Sequence, residues 1–164
     1  MNEKTYRVLF ICTGNSARSI MAEGLMNSLG GTRFQAYSAG SHPSGRVNPF
    51  ALQTLSSLSI PTDGFRSKNW EEFAGADASA LDFVFTVCDK AAGELCPIWP
   101  GQPMTAHWGV PDPAAVEGSD ETKLRAFKDV AITLKRRIEL MLALPLAKLE
   151  PLAIQHEIKA IGTR

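Results

Sequence analysis

Three cysteines, Cys12, Cys88 and Cys96, are all the thiols in 164 residues, and no two form a Cys-x2-Cys pair. So small and odd a number excludes a disulfide framework and points to reactive thiols in a reducing compartment. Net charge is missing as well. Seventeen Lys and Arg balance seventeen Asp and Glu with no basic block, so nucleic acid is not an expected partner. No apolar run nears the ~20 residues that span a membrane. The opening Met1-Asn-Glu-Lys lacks the pattern of a secretory signal. Neither a repeat, a linker nor a nicotinamide or flavin motif occurs, so no tightly bound cofactor is expected. These absences describe one cytoplasmic domain over residues 1–164, expected to be monomeric. Residues 145–164 form a C-terminal extension without a recognisable motif.

What is present centres on one stretch. The apolar, β-prone run Val8-Leu-Phe-Ile11 stops at Cys12, and Thr13-Gly14-Asn15-Ser16-Ala17 leads to Arg18-Ser19 at the head of a helix. Amides of such a loop, with the positive end of the following helix, suit a tetrahedral oxyanion. The same field should depress the pKa of Cys12 so that it attacks as a thiolate. Arg18 can grip two oxygens of the anion. Gly14 permits close backbone approach, and Asn15 tolerates a left-handed turn. Ser19 is placed to donate toward the thiolate. A lone cysteine near a strand end is ordinarily a small buried hydrophobe. Cys-x5-Arg-Ser between strand and helix is far more restrictive.

Along the chain, strands and helices alternate. Strands are expected over Tyr6 to Cys12, Phe34 to Ser38, Leu81 to Val87 and Met104 to Trp108, with a weaker one before Arg66 marred by Pro61 and Gly64. Helices are expected over Ser19 to Leu29 (stopped by Gly30-Gly31), from Asn48-Pro49 to Leu58, and briefly at Trp70 to Phe73. Ser119 caps the longest helix, whose Leu124, Phe127, Val130, Ala131, Leu134, Ile138 and Met141 recur at helical spacing as scaffold. Pro145 ends it, and Leu149 to Ile161 suggests a last helix. The alternation implies an α/β fold, a small open parallel sheet of about four strands with helices on both faces. Ligands of such sheets bind at the carboxyl ends of strands, where Cys12 falls.

Two further features carry chemistry. Asp112 sits between Pro111 and Pro113 on a stiff loop, able to hold a carboxyl over an anion site as a general acid. Alone, an Asp-Pro pair is usually a turn. Cys88 closes an apolar run, and Cys96 follows eight residues later. Two buried cysteines are the plain reading. A zinc site recruiting His107 is the alternative, which the scattered spacing disfavours, so no metal is expected. Were 89–95 helical, eight residues would rise about 12 Å, beyond the ~7 Å reach of a disulfide. Bridging the two would require that segment to unwind, which Gly93 eases.

Cys12-Thr-Gly-Asn-Ser-Ala-Arg-Ser19, followed by Met21-Ala-Glu23, resembles the phosphate loop of the low-molecular-weight protein tyrosine phosphatase superfamily, and most of all its thiol-dependent arsenate reductases. The resemblance runs from about Tyr6 to Leu142. It implies that Asp112 is the general acid and that Cys88 and Cys96 are redox cysteines. Cys12 would attack arsenate, Cys88 would resolve the adduct with release of arsenite, and Cys96 would take the disulfide outward. An external thiol, thioredoxin or glutathione with glutaredoxin, would regenerate the enzyme. The alternative is a phosphatase hydrolysing phosphoesters through a phosphocysteine at Cys12.

Departures matter too. Ala17 stands where relatives often carry a second cysteine. Ala114-Ala115 replaces the tyrosines that phosphatases of this family place after the Asp-Pro, which favours a small inorganic anion over phosphotyrosine. Asn15, Glu23 and Ser38 match positions that bind potassium in some reductases, but Lys68 stands where an aspartate completes that site. A fixed ammonium there would replace the ion. His42 and Arg46 read as solvated loop residues.

Overall fold

The computed structural model describes residues 4–75, 77–94 and 97–164. Four parallel strands, β1 (Tyr6–Ile11), β2 (Phe34–Ala39), β3 (Phe83–Thr86) and β4 (Met104–His107), form one sheet in the order β2-β1-β3-β4. Cys96 lies outside the described residues, as does Leu95. β1 occupies the centre because it is apolar on both faces: Val8, Leu9, Phe10 and Ile11 are all buried. Its register sets Phe10 beside Phe85, and those two rings stack with Trp108 on one face of the sheet.

Among the described residues five helices flank the sheet: α1 (Arg18–Gly30), α2 (Pro49–Ser57), α3 (Asp89–Ala92), α4 (Asp120–Leu142) and α5 (Pro151–Ile161). Asn48 caps α2 and Ser119 caps α4, each through its side-chain oxygen. α1 packs on β1 and β2 and against α4, whose apolar stripe is buried as its spacing requires. Opposite, Ile11, Val84 and Thr86 face Trp70, Trp99 and Ala91 across a cavity of about 270 Å³.

Two expectations need correction. The weak strand before Arg66 does not form; Pro61 lacks a donor, Gly64 turns with φ 88°, and residues 60–68 are irregular up to a single bridge between Gly40 and Asn69. Where the sequence leaves the helicity of 89–95 open, one turn is helical, Asp89–Ala92, because Gly93 ends it. The last helix begins at Pro151 in the favoured first-turn position, two residues later than expected. That helix gives the C-terminal extension a structural part. Gln155 Nε2 donates to the Thr105 carbonyl at 2.8 Å, and Trp108 Nε1 donates to the Ile158 carbonyl at 2.9 Å, so α5 covers the outer edge of β4.

Candidate active site

The chain leaves β1 at Cys12, whose amide still bonds to Ala39 O at 3.2 Å. The turn that follows is held from outside by its carbonyls. Thr13 O accepts from the His42 amide (3.0 Å), Gly14 O from the Ser44 amide (2.9 Å) and Ser16 O from the Asn48 amide (2.9 Å). With the carbonyls tied outward, the amides of Asn15, Ser16 and Ala17 donate to no backbone carbonyl among the described residues. α1 then starts at Arg18 without a side-chain cap. Unspent donors at a helix N-terminus form a cradle for an oxyanion. Asn15 takes the left-handed turn at φ 44° and is fully buried; Nδ2 donates to Ser19 Oγ at 2.8 Å, and Oδ1 accepts the Lys68 amide at 2.9 Å. Ser19 therefore serves first as the anchor of Asn15.

Cys12 and Cys88 come together just past the ends of the adjacent strands β1 and β3, both buried and both free thiols. Cys88 Sγ accepts the Thr13 amide and the Ala91 amide, each at 3.4 Å. The hydrogen bond from the Cys12 thiol, with those amides, outweighs burial and holds Cys88 down at about 5. Cys12 moves the other way. Its bond to Cys88 and its burial push it up, against the lowering pull of the Arg18 charge. This corrects the expectation of a depressed Cys12. The two sulfurs compete for a proton, and the amides of Thr13 and Ala91 favour the negative charge on Cys88.

Arg18 and Asp112 face each other across the mouth of the loop. Arg18 Nη1 donates to the Val110 carbonyl at 3.1 Å, and Nη2 lies 3.9 Å from Asp112 Oδ2. Asp112 is half-exposed. Its Oδ1 accepts the Ala114 amide at 3.0 Å, capping a short 3-10 turn at Pro113–Ala115. Ala114 and Ala115 are exposed, so the residues next to Asp112 offer no ring to a substrate.

Several participants have no local signature in the sequence. Glu94, at the end of the segment after Cys88, accepts from Thr13 Oγ1 (3.0 Å) and Ser41 Oγ (2.6 Å), which clasps that segment onto the anion loop. Burial pushes the Glu94 carboxyl up, but those two hydrogen bonds outweigh it and the net shift is downward. His107 ties the other end through Asp89 Oδ1 at 2.7 Å. Gly40 lies under the loop, where a Cβ would stand 2.6 Å from Cys12 O and nearer still to Thr13 O. His42 is exposed at its ring, as expected, yet its backbone is part of the loop's support. Lys68 is buried with its ammonium 2.9 Å from Arg66 O and 3.9 Å from Glu23 Oε1, which also accepts from Ser38 Oγ. That ammonium stands beside Glu23, one of the oxygens that potassium would need, so the residues do not fit a bound ion. Among the described residues no cluster of three or more His, Cys, Asp or Glu could hold a metal.

A parallel α/β sheet with a Cys-x5-Arg loop at the end of its central strand defines a phosphatase-type oxyanion fold. The sequence pattern of the low molecular weight phosphotyrosine protein phosphatases matches residues 7–151, and the chain belongs to that family. It is 37% identical over 139 residues to an arsenate reductase of Halalkalibacterium halodurans, covering 85% of this chain and 95% of the relative. Among solved structures it is similar to an arsenate reductase in the phosphate-binding state (TM-score 0.66, 31% identity) and to one in the oxidized state (TM-score 0.68, 30% identity). Each match covers 85% of this chain and 98% of the other. No helix among the described residues is long and apolar enough to cross a membrane.

Proposed function

We propose that the protein reduces arsenate to arsenite with electrons from thiols. The observation that carries this reading is the second free thiol, Cys88, whose sulfur sits against the anion loop and accepts the Thr13 amide at 3.4 Å; phosphoester hydrolysis needs only one. The cradle of residues 13–19 binds the oxyanion beside Arg18, and an oxygen of the bound arsenate takes the Cys12 proton, leaving the thiolate under the charge of Arg18. The Cys12 thiolate forms a bond to arsenic(V) while Asp112 protonates the oxygen that leaves as water. Cys88 thiolate then attacks Cys12 sulfur. The sulfur–arsenic bond breaks with its electron pair going to arsenic, which departs as arsenite, and a Cys12–Cys88 disulfide remains.

Cys96 attacks Cys88 next, freeing Cys12 and carrying the disulfide away from the loop. A dithiol partner, thioredoxin or a glutathione–glutaredoxin system, restores both thiols. Among the described residues of the segment after Cys88, its rearrangement must break one helical turn, which stops before Gly93, and the Glu94 and Asp89 clasps. The protein acts as a cytoplasmic monomer, with phosphoester hydrolysis a side reaction of the same Cys12, Arg18 and Asp112.

Arsenate turnover with each thiol system, beside hydrolysis of an aryl phosphate, tests the scheme in Cys12→Ser, Cys88→Ser and Cys96→Ser. Cys12→Ser should lose both activities. Cys88→Ser should lose reduction alone. Arsenate reduction by Cys88→Ser at the parent rate would refute it.

A further inference from the structure

The family's span stops at residue 151, and the chemistry just described gives the segment beyond it no task. That segment is nonetheless tied to the loop bearing Asp112. Arg137, on α4, donates Nε to the backbone oxygen of Arg164 at 3.1 Å and Nη1 to the Gly109 carbonyl at 3.0 Å. It is only 7% exposed, and no Asp or Glu side chain pairs with it among the described residues. Burying a guanidinium is costly, and a well-packed apolar residue would stabilise the same place as well. What an apolar residue would not do is bridge two backbone oxygens. Burial also weakens the hold of this guanidinium on its proton, with Arg136 adding to the effect, which marks how far it is withdrawn from water.

The bridged carbonyl is the informative one. Gly109 O is fixed by Arg137, the neighbouring Val110 O accepts from Arg18, and the Val110 amide donates to Val87 O at 3.1 Å. Just before them, Trp108 is pinned by its amide to Thr86 O (2.7 Å) and by its indole to α5. Beyond Val110 the backbone is stiffened by Pro111 and Pro113, so whatever sets residues 109–110 sets Asp112. Gly162 packs against the same place, where a Cβ would stand 3.0 Å from the Trp108 ring.

We propose that Arg137, braced by the C-terminal segment, is a positioning residue that fixes Asp112 over the anion loop. The proposal rests on the reading of Asp112 as general acid. The test compares Arg137→Met, Asp112→Asn and the double variant in arsenate reduction, with inorganic phosphate as the probe of the loop. Arg137→Met should lower kcat about tenfold, a fraction of what general acids contribute, while KM for arsenate and the affinity for phosphate stay at parent values. The double variant should be no slower than Asp112→Asn, because the two changes remove one function.

Multiplying losses, or an undiminished kcat in Arg137→Met, would overturn the proposal. An undiminished kcat in Asp112→Asn would instead overturn the acid assignment beneath it. Hydrogen exchange at the Ala114 amide, which reports on the Asp112 carboxyl, needs no turnover. It should quicken in Arg137→Met while the amides of residues 13–19 keep their rates; unchanged Ala114 exchange counts against the proposal. Should the Met variant fail to fold, Arg137→Lys, which keeps the charge but not the planar fork, carries the same expectations.

Discussion

The Thr13 amide, one residue past Cys12, points at the sulfur of Cys88, 3.4 Å away. The loop proposed to activate Cys12 thus spends a donor on Cys88, the thiol proposed to resolve the adduct. The two sulfurs then compete for one proton, and removing either should move the other in a known direction. In Cys88→Ser, Cys12 loses the largest cause holding it up. Its alkylation by iodoacetamide should therefore reach half-rate at a lower pH than in the parent. In Cys12→Ser, Cys88 loses the largest cause holding it near 5, and its half-rate pH should rise. Coincident profiles in parent and variants would show that the thiols titrate independently.

Glu94 closes the mouth of the loop from the other side, with a carboxylate facing the site of an incoming anion. Its folded pKa lies below the unfolded value of 4.5, so its contribution to stability is fully present above that value and is lost as pH falls through the folded pKa. Between neutral pH and pH 3, the parent should lose more unfolding free energy than Glu94→Gln, as read by urea titration at each pH. At pH 7 the substitution also removes a negative charge beside the cradle. Phosphate affinity should rise about threefold, the scale of a partly screened charge. Weaker phosphate binding in Glu94→Gln would mean that the clasp shapes the loop rather than opposing the anion.

These contacts show which parts of the molecule were legible in the sequence. β1, the anion loop and α1 could be read because each rests on neighbours in the chain: an apolar run, a turn at Gly14-Asn15, a helix opening at Arg18. Asp112 could be read through the two prolines that stiffen it. Glu94, Gly40 and Arg137 could not, since each acts on a residue more than 25 positions away, and nothing local distinguishes them from a surface acid, a strand-end glycine or a helix arginine. Cys12 was misjudged for the same reason. The effect of Arg18 follows from spacing, but the competing sulfur arrives from just past the end of β3, 76 positions along. Pro61 and Gly64 gave the right warning against a strand before Arg66.

Lys68 makes a separable claim about the floor of the loop. Burial lowers the pKa of its ammonium and raises that of Glu23, and the charge of each pulls the other back toward the ionised form. Lys68→Ala strips Glu23 of this partner, and losing one member of a buried pair costs about 3 kcal/mol. The parent should bind phosphate equally well in potassium and in a bulky organic cation such as tetramethylammonium. Lys68→Ala should bind it more weakly and regain part of the loss when potassium is added, because an ion can then enter among Glu23, Ser38 and Asn15. Potassium dependence in the parent would contradict the idea of a tethered cation.

The surface beside Asp112 tests the proposed preference for a small anion. Ala114 and Ala115 are exposed on the short turn that Asp112 caps, and the Ala114 amide bonds to the carboxyl itself. A methyl group there gives an aryl ring no area to stack on. Ala114→Tyr keeps the backbone donor, and therefore the cap, while adding a ring at the edge of the mouth. Stacking between rings is worth about 1 kcal/mol beyond the area buried. The variant should therefore raise kcat/KM for an aryl phosphate about fivefold, with most of the gain in KM, and leave the KM for arsenate where it was. An equal change for both substrates would place the effect on Asp112 or Arg18 rather than on a new stacking surface. A gain confined to the aryl ester would mean that the missing ring, not the anion loop, limits phosphoester hydrolysis in this chain.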